Sequence, residues 1–386
     1  MGRGIQDLPR FASTEMLKQV QHDDNEGKTE MTAEFIDKAK PIREGENLDW
    51  KKIEIFLKDS IPGLQGELQV RQFPSGFSNL TYLIAIGETE LVLRRPPFGT
   101  KAKTAHDMAR EYRILKMLKP VFPYCPEPLA YADDPSIMDT PFYIMERLRG
   151  IILRANPPKG LELTPEQNGA LCENMIDIWC KLHQLDYQGI GLGDLGKPEG
   201  YVRRQVEGWS ERYRKARTDD APDFELVIQW LHENQPGDSA HPALIHNDYK
   251  FDNLVLDPAD PTKIIGVLDW EMSTIGDPLM DLGSSLAYWV EPGDSEQLHM
   301  MRQLPTHLPG MFTRSQVLAR YAEKMERPIA DFNFYYCFGL FRLAVIAQQI
   351  YYRFYHGQTK DPRFQMLVFA VQILEQTARG RIERGS

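Results

Sequence analysis

The fold is decided by HNDYKFDN at residues 246–253, together with GVLDWE at residues 266–271. The first stretch has the spacing H-x-D-x-x-x-x-N, and the second is an apolar run that leads into Asp269. Phosphoryl transfer from ATP needs one carboxylate beside the attacking hydroxyl, while a further carboxylate and an amide hold Mg²⁺ against the phosphates. The spacing therefore predicts Asp248 as the catalytic base, with Asn253 and Asp269 as the metal ligands.

Short apolar runs around this motif predict the strands that would hold it. Residues 254–256 and 264–268 are apolar, and a proline-containing turn separates them. Two strands joined by a turn would bring Asn253 and Asp269 close to one ion, and Mg²⁺ keeps several waters, so few protein ligands suffice. The plain alternative is a loop aspartate, a turn asparagine and a strand-end aspartate without a common role. This alternative is weakened because Asp248, Asn253 and Asp269 all stand at the required spacing, downstream of a predicted nucleotide-binding lobe.

Composition and charge narrow the class of protein. A chain of 386 residues, 42% of them hydrophobic and 26% charged, can form a large core in two or three domains or in one two-lobed unit. A net charge of −10 argues against a general nucleic-acid surface. The cysteines at positions 125, 172, 180 and 337 form no C-x-x-C pair, so the sequence indicates neither a zinc site nor a disulfide framework. Such cysteines fit a cytoplasmic protein.

Neither a leader nor a membrane span is expected from the hydropathy pattern. Residues 1–30 lack the apolar segment of a signal peptide. The most apolar late stretch, residues 334–352, contains Arg342 and two glutamines, which is typical of a buried helix. We therefore expect neither a membrane nor a nucleic acid as a partner, and we leave a homodimer open.

The order of periodic segments predicts two lobes. Residues 1–45 are expected to be a flexible polar tail, residues 46–148 the N-terminal nucleotide-binding lobe, and residues 149–386 the C-terminal catalytic and substrate lobe. Alternation and helical spacing predict strands over 68–73, 81–86, 90–95 and 141–146, and helices from Trp50 and over 104–118, 164–185, 199–216, 222–234, 313–325, 331–355 and 363–379. The predicted fold class is α+β, with a small antiparallel β-rich lobe, a larger mostly helical lobe, and a ligand cleft between them.

Two features of the small lobe predict contacts with ATP phosphates. The loop Ser75-Gly76-Phe77-Ser78-Asn79 joins two strands and could present backbone N–H groups and hydroxyls to phosphates. Its single glycine also suits an ordinary hairpin turn, so the loop alone decides nothing. Arg94, at the end of the third strand, is the predicted phosphate-binding cation.

Strand alternation sends Arg94 and Arg95 to opposite faces, and we favour Arg94 for the cleft, with Arg95 second. Glu111, on the first long helix after that strand, is the predicted ion-pair partner of Arg94. Where the fourth predicted strand becomes the connector, the main chain of Glu146 and Leu148 is expected to read the adenine edge.

These elements resemble the aminoglycoside phosphotransferase and choline kinase-like family, which shares the protein-kinase-like fold. The resemblance covers residues 46–380 and rests on FPSGFSNLTYLI, LVLRRPP, REYRIL, PFYIMER and HNDYKFDNLVLD. These motifs are similar to a bacterial subgroup related to the kinase-like domain fused to some acyl-CoA dehydrogenases. The resemblance implies ATP and Mg²⁺ as cofactors, and the roles given above for Asp248, Asn253 and Asp269. It also implies that Asp281 braces the catalytic loop.

The chain departs from the family pattern at two places. Arg94 replaces the lysine common in antibiotic-modifying members, although arginine occurs in choline kinase-like relatives. Asp269-Trp270-Glu271 replaces Asp-Phe-Gly, so no glycine hinge follows the metal-binding aspartate and a mobile activation loop is not expected. An Ala-Pro-Glu segment is also missing from the sequence, which argues against a protein substrate.

The acceptor is expected to be a small molecule with a hydroxyl group, bound near Asp248. Aromatic or polar-tipped residues near the motifs and on the late helices are the candidate contacts: Trp270, Glu271, Tyr288, Trp289, Arg342 and Tyr351. The region 331–379 carries Arg342, Arg353, Lys360 and Arg363 and no dense acidic cluster. This pattern favours a neutral or anionic acceptor, such as a hydroxyacyl-CoA or a hydroxy acid, over a polycationic aminoglycoside.

Two other classes of protein are alternatives to a small-molecule kinase. A nucleotide-binding pseudokinase or scaffold would bind ATP and transfer nothing, but here every catalytic position is filled. An α/β-hydrolase would need a G-x-S-x-G elbow, which this sequence lacks. The sequence therefore predicts an ATP- and Mg²⁺-dependent phosphotransferase with an alcohol group as acceptor.

Overall fold

The computed structural model of the chain describes residues 34–74, 79–98 and 107–384. The small lobe is a five-stranded antiparallel sheet with the order β1-β2-β3-β5-β4 and two helices. Its elements are α1 (Trp50–Ser60), β1 (Leu68–Gln72), β2 (Leu80–Ile86), β3 (Thr89–Arg95), α2 (Met108–Leu118), β4 (Pro128–Ala132) and β5 (Phe142–Glu146). The first three strands form the meander predicted from their alternation.

The large lobe is mostly helical and carries two small antiparallel pairs, β6 with β9 and β7 with β8. Its helices are α3 (Pro165–His183), α4 (Tyr201–Ala216), α5 (Glu225–Glu233), α6 (Pro278–Leu286), α7 (Glu296–Met301), α8 (Arg314–Lys324), α9 (Asn333–Tyr355) and α10 (Leu367–Arg384). Its strands are β6 (Ala243–Ile245), β7 (Leu254–Leu256), β8 (Ile264–Val267) and β9 (Thr274–Gly276). The catalytic loop, residues 246–253, lies between β6 and β7. The α+β, two-lobed fold class is confirmed.

The connector between the lobes, residues 147–150, lies against the β7–β8 pair. Ile151 forms a bridge with Leu256, with N–O distances of 3.0 and 2.8 Å. A Cβ atom at Gly266 would overlap the side chain of Leu148, so the glycine lets the connector approach the strand closely. This packing fixes the connector to the same hairpin that carries the predicted metal ligands.

The sequence missed the strands β4 and β9 and the helices α6 and α7, each for a local reason. β9 has only three residues, too few for an alternating pattern. β4 begins at Pro128 and has a weak β pattern, and it forms because it lies at the sheet edge, where proline is tolerated. α6 contains Gly283, Ser284 and Ser285, which are poor helix formers. Eight of its nine residues are buried, so it has no polar face turned to solvent. α7 has only six residues, too few for a periodic signal.

Other features bear on the sequence-based expectations for the tail, the cysteines and the membrane. Residues 34–45, which the sequence placed in the polar tail, form specific contacts with both lobes, described below; residues 1–33 lie outside the described residues. All four cysteines are buried free thiols. Within the described ranges, no helix is long and apolar enough to cross a bilayer.

Helices α6 and α9 cross in direct backbone contact behind the catalytic loop. A Cβ atom at Gly339 would overlap the carbonyl group of Gly283, and a Cβ atom at Gly283 would overlap the carbonyl group of Tyr335. Backbone atoms cannot move away as a flexible side chain can. The two glycines therefore set the distance between these helices.

We expect Gly339→Ala to lower the free energy of unfolding by about 1–3 kcal/mol because the methyl group overpacks this crossing. The matched control is Gly208→Ala on α4, where an added Cβ meets only the Arg212 side chain at 4.0 Å. That change should raise stability by up to about 1 kcal/mol, since alanine favours helices. Urea unfolding of both variants measures this, and equal effects would contradict the account of the crossing.

Candidate active site

Asp248 is held by its own loop with one carboxylate oxygen left open. Asn253 Nδ2 donates to the main-chain oxygen and to Oδ2 of Asp248, both at 2.8 Å, and Lys250 Nζ lies 3.0 Å from Oδ2. Within the described part of the chain, Oδ1 of Asp248 has no hydrogen-bond partner, and 20% of its side chain is exposed. The carboxylate is thus fixed in orientation and accessible to a hydroxyl group.

The His246 side chain holds the backbone of the loop that carries Asp248. Its Nε2 lies 3.0 Å from the carbonyl oxygen of Leu268, and its Nδ1 lies 3.2 Å from the amide nitrogen of Asp248. A carbonyl oxygen only accepts, so Nε2 carries the hydrogen and Nδ1 accepts from the amide. This is the neutral imidazole, and burial lowers the pKa of His246, which favours the same state.

Asp281 gathers the elements that carry the catalytic loop. Its fully buried carboxylate accepts from the main-chain N–H groups of His246 at 3.1 Å and Asn247 at 2.6 Å. It also accepts from Trp179 Nε1 at 2.9 Å and His183 Nε2 at 3.0 Å, both on α3. Burial alone would raise the pKa of Asp281, but the hydrogen bonds from His183 and Trp179 outweigh it and hold the pKa below its usual range. The structure thus places Asp281 as a brace for the loop, as the family resemblance implies.

Asp269 lies beside Asn253 in the two-stranded pair β7–β8. Leu254 pairs with Val267, and the N–H of Leu268 donates to the carbonyl oxygen of Asn253 at 2.8 Å. Asp269 itself has φ 68°, a left-handed conformation that costs energy for a residue other than glycine. Such strain is characteristic of functional positions, and here it turns the chain back toward the small lobe.

The Asn253 and Asp269 side chains fit a magnesium ion. Asn253 uses its Nδ2 on Asp248, which leaves its Oδ1 available, and Oδ2 of Asp269 has no partner among the described residues. Over the same residues, no cluster of three or more His, Cys, Asp or Glu side chains converges on a metal position. A pair of oxygen ligands suits Mg²⁺, which completes its shell with water and phosphate oxygens.

Arg94 is the buried cation of the cleft and pairs with three carboxylates. Its Nε lies 3.2 Å from Glu111, and its Nη2 contacts Asp269 and lies 3.3 Å from Glu271. Burial would lower the pKa of Arg94, but Asp269 and Glu111 raise it well above its usual value. Burial raises the pKa of Glu111 against the opposing effect of Arg94, while Arg94 outweighs burial at Asp269 and lowers its pKa. The predicted Arg94–Glu111 pair is therefore present.

Arg95 lies on the other face of the sheet, as alternation requires. Its guanidinium stacks on Phe98 at 4.0 Å and lies 3.6 Å from Asp139, and only 1% of its side chain is exposed. It makes no contact with the catalytic motif within the described residues. The geometry thus favours Arg94 over Arg95 for the cleft.

The turn after Asp269 is held by the small lobe and by the catalytic loop. Glu271 Oε2 accepts from Asn79 Nδ2 at 2.6 Å, and the carbonyl oxygen of Glu271 accepts from Arg110 at 3.1 Å. Asn247 Nδ2 donates to the carbonyl oxygen of Met272 at 3.0 Å. These contacts hold the turn against both lobes; the absence of a mobile activation loop stays a prediction.

Some predicted nucleotide contacts stay predictions. Ser75, Gly76, Phe77 and Ser78 lie outside the described residues, and Asn79 contacts Glu271. The N–H of Glu146 is already bonded to Glu127 O at 2.9 Å, and its carboxylate pairs with Lys119 at 2.8 Å. The main chain of Leu148 has no such partner in the described ranges and remains free for an adenine edge.

The predicted acceptor contacts separate into three groups. Trp270, Trp289 and Arg342 are buried, and Arg342 donates to the carbonyl oxygen of Asn247 at 2.8 Å. Tyr351 bonds to Asp220 at 2.5 Å, and Glu271 binds Arg94 as described above. Tyr288 is also buried, and its ring centroid lies 4.8 Å from Lys250 Nζ of the catalytic loop.

Sequence reasoning missed Lys250 and Asp252. Lys250 Nζ bridges Asp248 at 3.0 Å and Asp252 at 3.5 Å. Burial would lower the pKa of Lys250, but Asp248, Tyr288 and Asp252 raise it, so the ammonium stays charged. Burial raises the pKa of Asp252. The signal was present, since both residues fall inside the motif at its unspecified positions.

We expect His246 to make stability depend on pH between about 7 and 5. Its pKa is about 6.5 when unfolded and lower when folded, so the unfolded chain binds the proton more readily. Its contribution is present above pH 6.5 and is lost as the pH falls toward the lowered folded pKa. The aspartates with lowered pKa change the pH dependence of stability only below about pH 4.

His246→Gln should therefore show a smaller loss of unfolding free energy from pH 7 to 5 than the unchanged chain, whatever its stability at pH 7. Urea unfolding at each pH measures the slope. Parallel curves for the two proteins would mean that His246 is not buried in its neutral form.

Comparisons with known proteins agree with this geometry. The model of the phosphotransferase enzyme family (APH) matches residues 69–316. Mouse (Mus musculus) acyl-CoA dehydrogenase family member 10 is 35% identical over 333 residues, which is 86% of this chain and 31% of the relative. Human (Homo sapiens) member 11 is 30% identical over 334 residues, 85% of this chain and 42% of the relative. The chain therefore spans under half the length of these curated relatives.

Solved structures show the same fold. A crystal structure from Ralstonia eutropha, described as a candidate aminoglycoside phosphotransferase, has a TM-score of 0.74 at 29% identity and covers 88% of this chain and 99% of that one. Choline kinase from Cryptosporidium parvum has a TM-score of 0.59 at 14% identity, over 87% and 97% of the two chains. With the family model matching more than half of the sequence, the chain belongs to the phosphotransferase enzyme family.

Proposed function

We propose that this protein is an ATP- and Mg²⁺-dependent phosphotransferase that acts on a hydroxyl group of a small molecule. The observation that carries the proposal is the state of Asp248. Its carboxylate is fixed by Asn253 and Lys250, keeps one open oxygen, and lies in the loop whose Asn253 adjoins Asp269. A base, a metal pair and a phosphate-binding cation thus meet at one cleft.

Asp248 would orient the acceptor hydroxyl and take its proton. Lys250 lies 3.0 Å from Oδ2 of Asp248 and helps to hold the carboxylate in place. Asn253 binds the other side of the same oxygen, so the open oxygen points in one direction only. Positioning of this kind is the main contribution a protein makes to phosphoryl transfer.

The charge of the cleft favours a divalent cation. Five carboxylates, those of Glu111, Asp248, Asp252, Asp269 and Glu271, share the two cations Arg94 and Lys250 in direct ion pairs. Within these pairs three negative charges are left uncompensated. Bound Mg²⁺–ATP would supply the phosphoryl group and the metal charge, held by Asn253 and Asp269. Arg94 is the buried cation next to them that can bind phosphate oxygens.

We propose a hydroxyacyl-CoA or a hydroxy acid as the acceptor. The names of the curated relatives, acyl-CoA dehydrogenase family members 10 and 11, support an acyl-CoA metabolite. The late-helix arginines that first suggested an anionic acceptor do not support it: Arg342 is buried, Arg353 is exposed, and Arg363 pairs with Asp361 at 2.5 Å. The charge of Arg154 acts on Asp252 in the catalytic loop, although Arg154 also pairs with Asp37 at 3.0 Å.

Three further expectations stay proposals. We expect a cytoplasmic protein that binds neither nucleic acid nor membranes, and a homodimer is left open. The alternative function, a pseudokinase or scaffold that binds nucleotide without transfer, differs from the proposal in one observable, acceptor-dependent release of ADP.

We predict that Asp248→Asn lowers kcat by about 10²–10⁴-fold, because it removes the general base. ATP affinity should be nearly unchanged, since Asp248 is not among the proposed phosphate or metal contacts. The matched control is Asp252→Asn, a carboxylate four residues away that shares Lys250 but is not bound by Asn253. Its loss of kcat should be much smaller. Equal losses, or normal turnover in Asp248→Asn, would contradict the assignment of the base.

Asp269→Asn should weaken Mg²⁺-dependent nucleotide binding at least as strongly as the ~10–100-fold loss typical of metal-site supporting residues. Calorimetric titration of ADP at several Mg²⁺ concentrations measures this without turnover. Asp260→Asn, in the turn between β7 and β8, is the control and should leave the Mg²⁺ dependence unchanged. An unchanged Mg²⁺ dependence in Asp269→Asn would remove it from the metal site.

A further inference from the structure

We propose that residues 35–42 form a strap that ties the two lobes together across the connector and thereby sets the affinity for nucleotide. The effect on affinity rests on the proposed function, whereas the strap itself does not. The strap comes from the stretch that composition placed in a polar tail. Its contacts reach both cores, the connector and the sheet edge.

The two ends of the strap are anchored in different cores. Phe35 packs against the large core, which includes most of the helical lobe, and an added Cβ on Gly160 would lie 3.5 Å from its ring. Ile42, seven residues later, packs against the separate core of the small lobe. Phe35 thus lies beside Gly160 of the large lobe and Ile42 in the core of the small lobe, so the segment between them crosses from one lobe to the other.

The middle of the strap is bonded to the connector. The N–H of Asp37 donates to the carbonyl oxygen of Gly150 at 3.0 Å, and its own carbonyl oxygen accepts from Arg147 at 2.9 Å. The Asp37 carboxylate pairs with Arg154 at 3.0 Å and is 18% exposed. The main chain of Asp37 thus holds both ends of the connector, and its side chain holds Arg154 just beyond it.

The strap then joins the outer edge of the small-lobe sheet. Lys40 and Gln72 exchange two backbone hydrogen bonds of 2.8 Å, and the N–H of Arg43 donates to the Gln72 side chain at 2.9 Å. Gln72 is 2% exposed. Because Gln72 ends β1, the strap is fixed to the strand that leads into the predicted phosphate-binding loop.

Its neighbours explain why the strap would act on nucleotide binding. Arg147, which donates to Asp37, pairs with Glu90 at 2.7 Å and lies over the ring of Phe73 at 5.8 Å. Phe73 follows β1 directly, and Arg154 acts electrostatically on Asp252 of the catalytic loop. The strap therefore contacts the small-lobe strand and the connector, between which adenine and phosphates are expected to bind.

A second crossing between the lobes restricts how far they can open. Without the strap, residues 147–150 and the contacts of Arg94, Asn79 and Arg110 with the large lobe would have to hold the lobes together. The apparent Kd for a ligand equals the intrinsic Kd divided by the fraction of molecules in the binding-competent arrangement. Release of the strap lowers that fraction, so it should raise the Kd while the fold of each lobe persists.

The test is a double-mutant cycle with Phe35→Ala and Ile42→Ala in the full-length chain, with Mg²⁺–AMP-PNP affinity as the readout. Substitutions in separate cores with no shared partner normally give additive effects. If either anchor is lost, the strap no longer joins the two lobes. Each variant should therefore raise the Kd by about fivefold or more. The double variant should then be no weaker than the weaker single one. Additive effects, or an unchanged Kd in either variant, would overturn the proposal.

Two controls separate the strap from general damage and from the proposed function. Ile55→Ala changes a residue on α1 that is 63% exposed and should leave the Kd unchanged. Hydrogen exchange of the Asp37 amide, measured without nucleotide, should be faster in both anchor variants, including Ile42→Ala in the other lobe. Unchanged exchange in Ile42→Ala would contradict a continuous strap even if the protein bound no nucleotide.

Should Phe35→Ala fail to fold, Asp37→Ala replaces it in the cycle. This variant removes the Arg154 pair and leaves both core anchors in place. It should likewise raise the Kd for Mg²⁺–AMP-PNP and add nothing to Ile42→Ala. An unchanged Kd in Asp37→Ala would overturn the proposal.

Discussion

The catalytic cleft depends on one buried charge, the carboxylate of Asp281. A buried carboxylate is costly unless its oxygens are satisfied, and here four donors satisfy them. Two donors are main-chain groups of the catalytic loop and two are side chains of α3. Any shift of the loop would leave part of this charge without a donor. The position of Asp248 is therefore fixed, because moving its loop would leave the buried Asp281 carboxylate with unpaired oxygens.

The candidate base and metal ligands could be chosen from the sequence because their spacing follows from the proposed chemistry. A base and two metal ligands must meet at one point, which restricts the loop and the hairpin that carry Asp248, Asn253 and Asp269. Elements whose stability comes from tertiary contacts could not be predicted. β4 depends on its place at the sheet edge, and α6 keeps Gly283, Ser284 and Ser285 in a helix because eight of its nine residues are buried. The strap is the extreme case, because its anchors lie in cores formed by distant parts of the chain.

The two lobes are joined by ion pairs and a hydrogen bond as well as by the connector. Arg94, from the small lobe, faces Asp269 and Glu271, from the large lobe, and Asn79 bonds to Glu271. The sequence predicted the partner of Arg94 on α2 but placed Glu271 at the acceptor. The difference arises because the left-handed turn at Asp269 sends Glu271 back to the small lobe, and a positive φ at a non-glycine residue leaves no sequence signal.

The measurement that tests the central claim most directly is Mg²⁺-dependent release of ADP by the purified protein, with hydroxyacyl-CoAs, choline and kanamycin supplied as separate acceptors. The account predicts release that depends on the acceptor and is strongest with a hydroxyacyl-CoA, with a phosphate ester as the second product. Nucleotide binding without release above background with any of these acceptors would contradict it and favour a protein that binds ATP without transferring phosphate.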